Sequence, residues 1–144
     1  MIIFSISGMS WHITVVESLA PSSETNQTDP MIKTDYYVSL MESQCKQDPE
    51  AVGAITKEVL LLHKKNNPHM REYWLRSDQA SCYKSDRLMI PLWSMNETGE
   101  LGNAKIKGYI FSEAGAGKSK CDQVCFLKLS FVSNLKFIFL RCPP

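Results

Sequence analysis

The chain has 144 residues, the length of a single domain, and its apolar fraction of 44% suits a globular core. The net charge of +1 excludes recruitment to nucleic acid by overall charge alone. Five cysteines are an odd number, which excludes a complete intrachain disulfide framework. No segment reaches the about 20 consecutive apolar residues of a membrane span, so we expect no membrane association. The apolar first sixteen residues lack a positively charged start, which gives little support to a signal peptide, and we expect an intracellular, nuclear or cytoplasmic, protein.

The first part of the chain predicts two strands. Residues 11–16 are rich in β-branched side chains, which is typical of a strand. Residues 17–34 contain two prolines and a cluster of Ser, Asn and Thr, which predicts a polar loop. Residues 35–41 then predict a second strand.

The clearest predicted element is a helix over residues 49–65. Asp48 is a suitable N-cap, and Pro49 fits the first helical position. Apolar side chains then recur at spacings of three and four residues, which predicts one buried stripe along the helix: Val52, Ile55, Val59 and Leu62. We expect this helix to cover a sheet.

Alternating elements follow. Residues 71–77 predict a strand, whose aromatic run suggests a central position covered on both faces. A short helix over residues 85–96, disturbed by Pro91, a loop and a strand over residues 105–111 come next. The order predicts an α/β fold with mixed strand pairing. From Val124 onward the chain becomes strongly apolar, and partial alternation favours a strand there.

An aspartate at the end of a strand is the first candidate functional residue. In Trp74–Tyr83, an apolar strand runs into Asp78, and small polar residues follow. Asp122 follows a later strand and a Gly-rich turn. Carboxylates on different elements can converge on Mg²⁺ or Mn²⁺, which favour hard oxygen ligands. Residue types alone favour the simpler interpretation, in which Asp78 caps a helix or makes a turn.

Two other motifs leave alternatives open. Ser112–Ser119 approaches the phosphate-binding pattern G-x4-G-K-[ST], but Ser112 stands where the pattern needs glycine. Lys118 could contact phosphate there, or the segment is a simple turn. Cys121 and Cys125 lack the second Cys/His pair of a zinc finger, so we expect reduced thiols.

The histidines do not cluster in the sequence. His63 lies near the end of the predicted helix, where a partly positive imidazole suits the helix dipole. His12 lies in a predicted strand and is expected to be structural.

Four segments of the sequence serve as anchors for a resemblance: Gly8–His12, Asp48 with its helix, Leu75–Tyr83 and Phe111–Asp122. In the order of these anchors, the chain resembles a group of largely uncharacterised proteins encoded by transposon-like genes of fish and invertebrates. Their core is of the ribonuclease H-like type shared by transposases and integrases. The resemblance implies a partial ribonuclease H-like domain over residues 8–123, with a mixed sheet and flanking helices, followed by a divergent apolar tail over residues 124–144.

Several positions depart from the pattern of these relatives. We expect the strand that bears their first catalytic aspartate to be missing, since the resemblance begins around their second strand. Ile110 stands where relatives often have aspartate, and Gln123 replaces an arginine. In Asp78–Lys84, Gln, Ser and Lys replace Asn, Gly and His.

The resemblance implies an ancestral metal-dependent cleavage or strand transfer on DNA. Asp78 and Asp122 would be the vestigial catalytic and metal-binding carboxylates, with Mg²⁺ or Mn²⁺ as cofactor, and Lys118 would contact phosphate. Because acidic ligands are lost, we predict an inactive fragment. The alternatives are a non-catalytic remnant that binds nucleic acid or protein, and a small nucleotide-binding protein that uses the Gly-rich turn.

Overall fold

The computed structural model describes residues 10–19, 31–41, 48–77, 80–112 and 135–140. These residues form two helices and two sheets, one of three strands and one of two. The described part is therefore mixed α/β, as predicted. No helix within it is long and apolar enough to cross a membrane.

The three-stranded sheet is built on a long hairpin. Strand β1 (Ser10–Leu19) pairs antiparallel with β2 (Ile32–Met41) along its full length. Strand β5 (Leu135–Leu140) pairs in parallel with the other edge of β2. The prediction of a strand in the apolar tail is thus confirmed, and this strand belongs to the same sheet as the hairpin.

The predicted loop over residues 17–34 was too long at both ends. Glu17 pairs with Thr34, and Leu19 pairs with Ile32, so the two strands extend three residues further than their composition suggested. Each added residue pair extends an existing backbone ladder, which compensates for weak strand propensity.

Helix α1 (Pro49–Asn66) lies between two apolar cores and confirms the predicted helix. The Asp48 carboxylate accepts a 2.9 Å hydrogen bond from the backbone N–H of Ala51, as its N-cap role requires. The predicted single stripe is divided in the structure. Ile55 and Val59 pack against the three-stranded sheet, whereas Val52 packs toward the second helix. One helix therefore serves both cores.

The second core is formed with helix α2 and the two-stranded sheet. Helix α2 (Asp86–Thr98) begins after Ser85, whose hydroxyl accepts from the N–H of Arg87, and ends at Gly99 with φ of +69°. Pro91 lies inside this helix without ending it. The helix is held by a buried face that continues past the proline: Leu88, Leu92 and Met95.

Strands β3 (Glu72–Ser77) and β4 (Lys105–Phe111) run parallel, with α2 between them in the chain. The side-chain amide of Asn96 both donates to the carbonyl of Ile106 (2.9 Å) and accepts from its N–H (2.8 Å), which covers the outer edge of β4. The predicted central position of β3 is wrong for the described residues, where β3 pairs only with β4. Trp74 is 63% exposed, so one face of this sheet is open.

Candidate functional site

The carboxyl ends of β3 and β4 lie side by side. The backbone N–H and the hydroxyl of Ser112 both donate to the carbonyl of Ser77, each at 2.9 Å. Asp78 follows Ser77 directly in the sequence, and the Gly-rich segment follows Ser112. Ser77 and Ser112 are thus in direct contact, and each leads into a segment that carries a candidate site residue.

The candidate site residues themselves, Asp78, Lys118 and Asp122, lie outside the described residues. So do the Gly-rich turn and the pair Cys121 and Cys125. Within the described ranges, no group of three or more His, Cys, Asp or Glu side chains could hold a metal ion.

The described end of β4 is a poor fit to a divalent cation. Ile110 is half exposed and supplies no oxygen ligand, at the position where the resemblance implies a carboxylate. Its partner across the strands is Arg76, whose positive charge opposes cation binding. Hard cations need oxygen donors, so neither side chain serves a Mg²⁺ or Mn²⁺ site.

A second constellation, which we call the buried polar cluster, lies between the two sheets. Its members come from β2, α1, the residue that caps α1, β3 and β5: Asp35, Tyr37, His63, Asn67, Tyr73 and Lys136. Asp35 is 1% exposed and His63 is completely buried. Burial of charged groups is costly without partners, so the contacts in this cluster bear directly on stability.

Asp35 is the charged centre of the buried polar cluster. Its Oδ1 accepts a 3.1 Å hydrogen bond from the ammonium of Lys136, which also donates to the Tyr37 hydroxyl at 3.2 Å. Its Oδ2 lies 3.8 Å from Lys33 Nζ and 3.8 Å from His63 Nε2, too far for direct hydrogen bonds but within electrostatic range. Asp35 therefore joins β5 and α1 to the central strand β2.

His63 links this centre to the second sheet. Its Nδ1 lies 3.0 Å from the hydroxyl of Tyr73 on β3, and its ring meets the Tyr73 ring edge-on at 5.7 Å. Burial raises the pKa of Tyr73 to about 12, and repulsion from Tyr37 in its ionised form adds to the rise, so this phenol keeps its proton at neutral pH. One imidazole thus contacts both sheets.

The predicted dipole role of a partly positive His63 is wrong. Burial disfavours the charged ring and lowers its pKa, although Asp35 acts in the opposite direction. The positive charges of Lys136, Lys33 and His69 contribute to the same lowering. A neutral imidazole inside the molecule is the result.

The sequence contained one signal of this burial. His63 follows Val59 by four residues and so continues the apolar stripe of α1. Asp35 gave no comparable signal, because an aspartate at the start of a strand usually faces solvent.

We expect the folded state to lose stability as pH falls. The unfolded chain binds a proton at histidine near pH 6.5, whereas the folded chain resists protonation of His63. Unfolding then takes up protons, so the free energy of unfolding should decrease below about pH 6.5. Above that pH, the stability that depends on a neutral His63 should be fully present. Urea unfolding at about pH 7.5 and about pH 5 measures this change.

Two variants separate the source of this pH dependence. His63→Gln should flatten it, whereas Lys65→Gln, at an exposed position on the same helix, should leave it unchanged. His12, whose pKa is also lowered by burial, accounts for any remainder. Stability that is constant or higher at the acidic end would contradict the role given to His63.

His12 lies in strand β1 and contacts a distant part of the chain. Its Nε2 lies 2.9 Å from the hydroxyl of Tyr83, which connects β1 to the residues between β3 and α2. Cys82, which is half-buried, directly precedes Tyr83 in the sequence. The geometry indicates a tie between two parts of the fold.

In comparisons with known proteins, no protein-family model, no curated protein and no solved structure matches this chain.

Proposed function

We propose that the chain is a catalytically inactive derivative of a ribonuclease H-like, metal-dependent DNA-processing domain of the transposase or integrase type. Support comes from the order of its elements: an antiparallel hairpin, a helix, and a parallel strand pair joined through a second helix. In α/β folds of this kind, sites form at the carboxyl ends of parallel strands.

The observation that carries the proposal is the contact between Ser77 and Ser112. Each strand end is followed by a segment with a candidate acid, Asp78 in one case and Asp122 in the other. Two-metal phosphoryl chemistry requires carboxylates from separate elements that converge on one site. The adjacency of these strand ends supports descent from such a site.

The absence of catalysis is proposed from the described end of β4. Ile110 replaces a carboxylate that the resemblance implies, and Arg76 lies opposite it. Loss of a metal ligand commonly lowers rates by orders of magnitude, because positioning and charge stabilisation depend on the metal. The remaining function is therefore binding without chemistry.

Metal affinity tests this proposal. Electron paramagnetic resonance of free hydrated Mn²⁺ should show weak, at best millimolar, binding to the wild-type chain. Ile110→Asp should tighten binding at least severalfold, since it supplies a second carboxylate beside the end of β3. Asp78→Asn should abolish that gain.

The matched control is Ile90→Asp, which places the same charge at an exposed isoleucine on α2. It should not change Mn²⁺ binding. Tight binding by the wild-type chain that is lost in Asp78→Asn would overturn the proposed inactivity. An Ile110→Asp variant without any gain would contradict convergence at the strand ends.

A further inference from the structure

The open face of the two-stranded sheet carries an exposed tryptophan among basic residues. Alternation along β3 and β4 directs Tyr73 and Ile106 into the core. The opposite face, which we call the outer face, contains the residues in register with one another on that side: Glu72, Trp74, Arg76, Lys105, Gly108 and Ile110. All of these except Gly108 are exposed.

Trp74 is held in place by a glycine on the neighbouring strand. A Cβ at Gly108 would stand 2.5 Å from Cζ3 and 2.8 Å from Cε3 of the indole. The six-membered ring therefore occupies the space that any other residue would fill with its side chain. Aromatic packing over a glycine in a strand is a known way to stabilise such a pair. Trp74 is thus positioned although it is 63% exposed.

The charges around Trp74 are mostly positive. Arg76 and Lys105 flank it on the same face, and neither has a described ion-pair partner. Lys107, at the irregularity in β4, lies 3.5 Å from Glu72 and offsets that single acid. The outer face is therefore basic even though the whole chain has a net charge of only +1.

We infer that the outer face binds single-stranded nucleic acid, with a base stacked on Trp74 and the adjoining phosphates at Arg76 and Lys105. An exposed aromatic ring flanked by cations is the combination that such strands require, because every base has a stacking face and every linkage a negative charge. An apolar protein partner would be opposed by the cations of the outer face. This inference extends the proposed function to a ligand and a surface, and it does not depend on the metal site.

Fluorescence anisotropy with labelled oligothymidylate and oligouridylate, in EDTA, tests the inference on the full chain. The wild-type chain should bind at low salt. Trp74→Leu should weaken binding between about fivefold and about a hundredfold, the effect of one stacked base. Trp93→Leu is the matched control, since Trp93 is also exposed but lies on α2, and it should not change the affinity.

Two further variants test the position of the Trp74 indole and the positive charge of Arg76. Gly108→Ala should displace the indole and weaken binding while Trp74 is still present. Arg76→Gln should weaken binding and reduce the slope of log affinity against log salt by about 0.7. Lys65→Gln, which removes an exposed cation at the end of α1, should change neither.

The two probes distinguish DNA from RNA as the preferred strand, and either preference supports the inference. If the wild-type chain binds neither probe, the inference is overturned. Equal affinities of the Trp74→Leu and Trp93→Leu variants would also overturn it. Self-association that is lost in Trp74→Leu, without oligonucleotide binding, would instead assign the face to a contact between copies. Because EDTA removes divalent metal ions from these assays, none of the outcomes tests the proposed loss of the metal site.

Discussion

Asp35→Ala should lower the free energy of unfolding by about 3–5 kcal/mol, the range for breaking a buried ion pair by removing one partner. The variant leaves Lys136 without its carboxylate and removes the negative charge next to His63. Since the aspartate is 1% exposed, water cannot replace these contacts without opening the interface between β2 and α1. Urea denaturation followed by circular dichroism measures the change.

Three comparisons make this prediction specific. Glu58→Ala removes an exposed acid from α1 and should change stability by no more than about 0.5 kcal/mol. Tyr73→Phe removes only the hydroxyl at His63 and should cost about 1 kcal/mol. In a double-mutant cycle, Asp35 and Lys136 should be coupled. Equal effects of Asp35→Ala and Glu58→Ala would show that the buried polar cluster does not hold the sheets together.

Leu88→Ala should destabilise the chain by about 3–5 kcal/mol, as large-to-small changes do at closed core positions. Leu88 is completely buried on α2, and its Cδ1 would stand 3.6 Å from a Cβ at Gly53 on α1. The glycine allows the helices to approach, and the leucine fills the space between them. Alanine would leave a cavity in the core shared by α1, α2 and the two-stranded sheet.

Ile90→Ala on the same helix provides the control. Ile90 is 68% exposed, so its truncation removes little buried apolar area, and we expect a change below about 1 kcal/mol. Leu88→Met, which nearly conserves volume, should cost less than about 1.5 kcal/mol. Thermal unfolding of the three variants side by side tests the order. A Leu88→Ala variant as stable as Ile90→Ala would contradict the packing of α2 on α1.

Local patterns in the sequence predicted the helices and strands reliably, but they did not predict what each element pairs with or packs against. The cap at Asp48 and the apolar spacing of α1 are properties of neighbouring residues, so the helix was predicted to within one residue. The extra pairs of the β1–β2 hairpin depend on the partner strand, which no local pattern contains. The exposure of Trp74 could not be predicted for the same reason, because it depends on what covers β3.

The buried polar cluster could not be predicted because its members come from distant parts of the chain. Asp35 and Lys136 are about a hundred positions apart in the sequence, and their contact depends on β5 pairing with β2. Asp78 shows the complementary case. The sequence predicted its place after a strand, and β3 does end at Ser77. Its metal-binding role stays a prediction.

The outer face lies next to the carboxyl end of strand β3. Trp74 and Arg76 lie on β3 just before Asp78, so nucleic acid held on the outer face would lie beside this strand end. Binding and catalysis would then have been neighbours in an active ancestor. We propose that this chain retains nucleic-acid binding and lacks catalysis.

A cleavage assay on single- and double-stranded DNA, with Mg²⁺ and with Mn²⁺, tests the central claim most directly. The wild-type chain and Asp78→Ala should be indistinguishable, with no product above a no-protein control. Metal-dependent cleavage by the wild-type chain that Asp78→Ala abolishes would contradict the account.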